Sequence, residues 1–227
     1  MIGIYITIIW ICAVVIASIW KGGEAGVITF MLGGLFSLMA YLALRVRLVQ
    51  HSIKKRFISY ATNNNMHEDK MDWSQSIVLN LFKSKRSVSF KTFSHDKESV
   101  IHITHVSFSA NTSTIVNYYG FMKPVKVKKR LLVTQSFFQK LKNMVSLEQV
   151  DVSQFKKLKE YSVVGDIFDL KPLEKVLPEN IPSDITIAFE DGYVMVFRMA
   201  AHMRDSSEDF EELHNLVENI AKAYAKD

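Results

Sequence analysis

Residues 1–20 carry no charged side chain, and neither do residues 25–44; only Lys21, Gly22, Gly23 and Glu24 separate the two runs. A helix rises ~1.5 Å per residue and needs about 20 apolar residues to cross a ~30 Å hydrocarbon core. Two runs of that length, split by a tight Gly-Gly turn, predict a transmembrane helical hairpin with spans over 2–20 and 25–44. Tyr5, Trp20 and Tyr41 stand near the span ends, where amphipathic rings suit the membrane interface. A cleaved signal peptide fits less well. The run is too long, no positive segment precedes it, and no A-x-A site lies before Lys21. Ala13 and Ala17 on one span, with Gly26, Gly33, Ser37 and Ala40 on the other, allow close helix approach. They seal the hairpin on itself; a homo-oligomer through the same small-residue face is the alternative.

The flanks orient the hairpin. The interhelical loop has one Lys and one Glu, whereas Arg45, Arg47, Lys54, Lys55 and Arg56 follow the second run with no acid among them. A basic cluster of this kind stays on the cytoplasmic side, where it meets anionic headgroups. These five residues are the expected membrane-surface site. The chain then divides into a hairpin over 1–45, a basic helical stem over 46–62 and a cytoplasmic domain over 63–227, with both termini cytoplasmic.

Cys12 is the only cysteine, so disulfides, a Cys-rich metal site and a cysteine nucleophile in the later domain are excluded. From Phe57 onward 22 basic and 22 acidic residues cancel, but unevenly. Residues 57–142 hold 13 basic and 5 acidic residues, and residues 143–227 hold 9 and 17. Either the basic half faces anionic lipid, or the two halves pack together and neutralise each other.

Along the domain, a short helix is expected at 72–82, capped by Asp72. The period then changes to two, giving strands over 88–93, 100–108, 114–119 and 125–133. In the last of these Val125, Val127, Leu131 and Val133 share one face and Lys126, Lys128 and Arg130 the other. Those three cations form a second expected site, for a protein partner or lipid. A helix is expected at 136–144; residues 150–164 fit helix and strand alike; a short helix is expected at 170–177. Asp191-Gly192 between two alternating runs predicts a hairpin over 185–199. An amphipathic helix over 206–225 follows, with Phe210, Leu213, Val217, Ile220 and Tyr224 on one face. The fold class is α+β: a helical hairpin, then an antiparallel sheet closed by the C-terminal helix.

Nucleotide-binding, nucleophile-elbow, zinc-protease and EF-hand motifs are absent. His102 and His105, three apart in a strand, point to opposite faces and cannot share an ion locally. No metal or cofactor is expected. The acidic pairs Glu190/Asp191 and Glu211/Glu212 read as solvated. The 123–130 cations lack interleaved aromatics on their own face, which argues against nucleic acid.

The stretches "VSLEQVDVSQFKKLKEYSVVGD" and "ITIAFEDGYVMVFRM", with the order hairpin, stem, β-rich region and closing helix, resemble the DUF3137 family of bacterial membrane proteins. The resemblance covers the last ~80 residues. It implies a bacterial inner-membrane location, no known activity and no site residues. A looser likeness is to bacterial PH-like domains on membrane hairpins, from which the extra helices depart. The reading that follows is a non-enzymatic, membrane-anchored module binding a cytoplasmic protein partner or the anionic membrane surface. The alternative is a tethered hydrolase using His102 or His202 with a distant Asp or Glu.

Overall fold

The computed structural model describes residues 23–82, 85–96, 98–109, 112–135, 148–179, 184–203 and 207–225, with the side chains of the first helix from Gly33 on. Its elements in chain order are α1 (Gly23–Asn63), β1 (His67–Asp69), β2 (Val88–His95), β3 (Glu98–Ser109), β4 (Thr112–Pro124), β5 (Leu131–Gln135), β6 (Tyr161–Gly165), α2 (Lys171–Val176), β7 (Ile185–Glu190), β8 (Tyr193–Met199) and α3 (Glu208–Ala225). The chain divides into two units, Met1–His51 and Ser52–Asp227.

The structure corrects the membrane expectation. The first expected span lies outside the described residues, and the second falls within α1. Among the described residues no helix is long and apolar enough to cross a membrane. The two-span hairpin, the multi-pass description and the inner-membrane location built on it are therefore overturned. In the first unit, Leu35, Phe36, Met39 and Leu48 on α1 are exposed.

In the second unit one eight-stranded antiparallel sheet runs in the order β1-β2-β3-β4-β8-β7-β5-β6. Because side chains alternate along a strand, its register sorts residues onto two faces. Lys91 pairs with His102, His102 with Tyr119, and Tyr119 with Arg198, so these four form one row across four strands. The adjacent row on that face holds Phe93, Val100, Phe121 and Val196. α1 and α3 cover it: the Phe57 ring lies 5.1 Å from Tyr119 and 5.3 Å from Phe121, and Phe210 lies 4.9 Å from Phe121. The opposite face carries Ile101, Ile103, Tyr118, Met122, Met195 and Phe197, which pack with Ile77, Val78, Leu81 and Phe82. Each face of the sheet thus has its own apolar layer.

The end of α1 belongs to this unit. Ile53, Phe57 and Ala61, spaced at one helical turn, are almost fully buried. Asn65 takes a left-handed φ of 52°. The Met66 N–H then reaches the Ala61 carbonyl at 2.8 Å and the Asn65 N–H the Thr62 carbonyl at 3.1 Å. That paired pattern satisfies carbonyls a helix end leaves open. Residues 46–62 are helical throughout, within α1, and from Ser52 on they belong to the second unit.

Other elements depart from the sequence reading for local reasons. The helix expected at 72–82 is a 3-10 segment, Ile77–Leu81, capped by Ser76, whose side chain accepts from the Val78 N–H. Glu190 anchors it: one carboxylate oxygen accepts the Ser76 hydroxyl at 2.6 Å, the other the Ile77 N–H at 2.9 Å. Glu190 is therefore buried rather than solvated. The strand expected over 125–133 begins only at Leu131. Before it, Val125 and Val127 bond to the turn residue Gly192, and the Arg130 carbonyl accepts from Asp166. Within 150–164, Val150 bonds to Val163 and the chain re-enters as β6. The helix expected at 136–144 lies outside the described residues.

Candidate functional site

Lys54, Phe57 and Ile58, one turn of α1, stand over the row Lys91–His102–Tyr119 and the row Phe93–Val100. Together they enclose a cavity of about 270 Å³. Its walls are apolar except at Lys54, Lys91, His102 and the Tyr119 phenol, and among the described residues no carboxylate lines it. At ~30 Å³ per liquid water, the volume equals about nine waters.

His102 forms part of one wall. Its ring stacks on Tyr119, with centroids 4.5 Å apart and planes 5° from parallel. Its Nε2 lies 3.0 Å from Asn117 Oδ1, which also accepts the Thr104 hydroxyl at 3.3 Å. An oxygen that accepts at Nε2 selects the Nε2–H tautomer. Nδ1 is then the lone-pair nitrogen, without a hydrogen-bond partner among the described residues. Burial, opposed by the Asn117 bond and reinforced by the positive charges of Lys54 and Lys91, lowers the His102 pKa below its ordinary value. Burial also pushes the Tyr119 phenol up to about 12, so it stays protonated at neutral pH. Lys91 pairs at 3.8 Å with Glu68 on the exposed side. Lys54 has no ion-pair partner among the described residues.

A second polar cluster joins α1, β3, β4 and α3. The Tyr60 hydroxyl donates to Glu98 Oε1 at 2.8 Å, and His214 Nε2 lies 2.7 Å from the same oxygen. Lys123 approaches Glu98 at 3.7 Å and hydrogen-bonds Glu218, which also holds Lys222 at 3.2 Å. The His214 bond, followed by those of Tyr60 and Lys123, holds Glu98 below the usual carboxylate range against the effect of burial. A third cluster centres on buried Arg198, which meets Asp184 at 2.9 Å, Asp209 at 2.5 Å and Glu212 at 3.2 Å. His202 stands 3.6 Å from Asp184.

These positions scatter the sites read from sequence. Arg45 and Arg47 are exposed on α1 in the first unit, and Lys55 is exposed in the second. Lys54 lines the cavity. Arg56 turns to α3: it hydrogen-bonds Ser207 at 3.0 Å and lies 5.2 Å over the Phe210 ring. Lys126 and Lys128 are exposed beside the β7–β8 turn. Arg130 pairs with Asp191 at 3.4 Å and Glu190 at 3.9 Å. With Lys123–Glu218, these pairs join the basic and acidic halves of the sequence directly. His105 turns to the other face and packs 4.8 Å from Phe82.

Sequence reading missed His214, Tyr60 and Glu98 as a group, because they converge from positions far apart in the chain. It also missed the cavity. The signal available was the pairing of Lys91, His102 and Tyr119, legible only once the register is fixed. Among the described residues, no three His, Cys, Asp or Glu side chains converge as a metal site.

Fold and site together define an α+β domain with a small, cation-rimmed aromatic cavity between a helix and its sheet. No protein-family model, curated protein or solved structure matches the chain. The resemblance of its last residues to DUF3137 therefore rests on the sequence alone.

Proposed function

We propose that the unit Ser52–Asp227 is a non-catalytic binding module that takes the apolar body of a ligand into the cavity beneath α1. One observation carries this reading: the histidine in the cavity meets the Asn117 amide and a Thr104 hydroxyl that is committed to Asn117, and among the described residues it meets no carboxylate. General acid–base work needs a titrating group aimed at substrate and oriented by a partner. Of the His–carboxylate contacts outside the cavity, His214–Glu98 is closed by Tyr60 and Lys123 into a bridge between elements, His202–Asp184 is shared with the Arg198 guanidinium, and His95–Asp96 is an exposed pair in a turn. A concave, mostly apolar site with a few convergent polar groups suits ligand capture.

The test uses a neutral single-ring dye, 4-(dimethylamino)benzonitrile, titrated into the full chain. Saturable fluorescence gain is expected, weakened at least tenfold, about 1.4 kcal/mol, when Ile58→Trp or Phe93→Trp fills the cavity. Dye binding that ignores both substitutions sinks the reading. So does hydrolysis of p-nitrophenyl acetate that His102→Gln or His214→Gln abolishes, which would restore the hydrolase alternative.

A further inference from the structure

The cavity has a chemical polarity. Its deep walls are ring and aliphatic surfaces from Phe57, Phe93, Val100 and Tyr119, while its charged side chains, Lys54 and Lys91, are both cationic and exposed. Glu68 is the nearest acid paired to either, and it sits on the exposed side of Lys91. A ligand that buried an apolar body here would leave its polar end between two ammonium groups. His102 adds a third donor on protonation, because Nδ1 has no partner in the neutral ring while Nε2 is committed to Asn117. A neutral or cationic head would gain nothing from this arrangement; an anionic one completes it. The volume of about 270 Å³ limits the body to a single ring or a chain of similar bulk.

We propose that the ligand is a small monocarboxylic acid with one aromatic ring, its ring between Phe57, Phe93 and the His102–Tyr119 stack and its carboxylate between Lys54 and Lys91. This rests on the binding reading above and names the ligand class. The groups facing His102 are Lys54 from α1, Lys91 from β2, and Asn117 and Tyr119 from β4, with Thr104 on its own strand; none is acidic. A carboxylate entering this set supplies the missing negative charge, so binding takes up a proton at His102 and strengthens as pH falls toward the His102 pKa.

The test is a calorimetric titration of the full chain with 3-phenylpropanoate, its neutral amide 3-phenylpropanamide, and the cation 2-phenylethylammonium, at two pH values. Expected are binding of the acid, binding of the amide about tenfold weaker, and no heat from the cation. Lys54→Gln should weaken the acid about threefold more than it weakens the amide, in line with one exposed charge pair. Lys54 is exposed and has no ion-pair partner among the described residues, so the substitution leaves the fold intact. The His102 ring-proton resonance should titrate at higher pH with the acid and not with the amide. Equal affinity for acid, amide and cation would overturn the ligand class and leave the binding module standing. Loss of binding by all three, alongside loss of the neutral dye, would overturn both.

Discussion

Glu98 ends up bonded to side chains from three other elements, and its protonation is tied to the fold. Tyr60, Lys123 and His214 favour its ionised form, so its folded pKa lies below the unfolded value. That contribution to stability is present above the unfolded pKa near 4.5 and is lost as pH falls through the folded value. His102, its pKa lowered from 6.5, takes up its proton more readily when unfolded, so it too removes stability as pH falls below 6.5. Glu190 acts oppositely: burial raises it, so its contribution is present below the unfolded value and lost as pH rises through the folded one. Glu218, lowered by its bond to Lys123, and His105, lowered by burial, act in the same sense as Glu98 and His102, and melting temperature should drop between pH 7 and pH 4. Replacing His102 with Phe should flatten the part of the decline just below pH 6.5; a melting curve series unchanged by that substitution would remove His102 from the account. Gly120 is a different residue-scale constraint. A Cβ there would sit 2.1 Å from the Val196 carbonyl oxygen and 2.5 Å from Phe197 Cβ. Both are fixed by the β4–β8 ladder, so Gly120→Ala should cost at least 1–3 kcal/mol through overpacking, read from urea denaturation.

At the scale of elements, what could be read from sequence was what short-range chemistry decides. Asp191 and Gly192 take φ of 46° and 90°, as a two-residue primed hairpin turn requires. Gly192 is needed for that conformation alone, since its nearest neighbour to an added Cβ is Val125 O at 3.5 Å; Gly192→Ala should cost about 1 kcal/mol of strain, a milder effect than at Gly120. The closing helix was legible because its apolar period is long. Residues 125–130 were misread because alternation of Lys and Val is also what a segment laid along a hairpin shows. Ladder pairing decides between the two, and here Gly192 and Asp166 occupy the bonds. Buried Arg198 was invisible for a similar reason: within its strand it is one cation among apolar residues. Only packing brings Asp184, Asp209 and Glu212 around it, fastening β8 to the first turn of α3. Arg198→Met leaves three carboxylates facing one another, two of them little exposed. A loss of about 3–5 kcal/mol is expected, while Asp209→Asn, which keeps a hydrogen-bond acceptor, should lose less than half of that. Equal losses for the two would mean that Arg198 acts only through Asp209.

For the molecule as a whole, a sheet with two covered faces needs both covers, and one of them comes from the part of the chain whose charge pattern set it apart from the sheet. The uncharged run and the basic cluster after it draw a boundary near residue 62, but the contacts draw it between His51 and Ser52. The discrepancy is physical. Charge patterning follows the solvated side of α1, where Lys54 and Lys55 lie. The fold follows its other side, where Ile53, Phe57 and Ala61 are 1%, 2% and 4% exposed. Phe57 meets Tyr119, Phe121 and Phe210 and so joins the sheet to α3 as well as to α1. Deleting a buried Phe costs about 3–5 kcal/mol and a buried Ile about 2–5, a sum comparable with the whole 5–15 kcal/mol that holds a domain of ordinary stability. A chain beginning at Ser52 should therefore show a cooperative thermal transition and dispersed amide resonances. One beginning at Asn63 should show neither, although it keeps every strand and α3. It should also lose dye binding, since Lys54, Phe57 and Ile58 form the roof of the cavity. A cooperative transition in the chain from Asn63, at the temperature of the chain from Ser52, would place the last three turns of α1 outside the fold and leave the cavity without its upper wall.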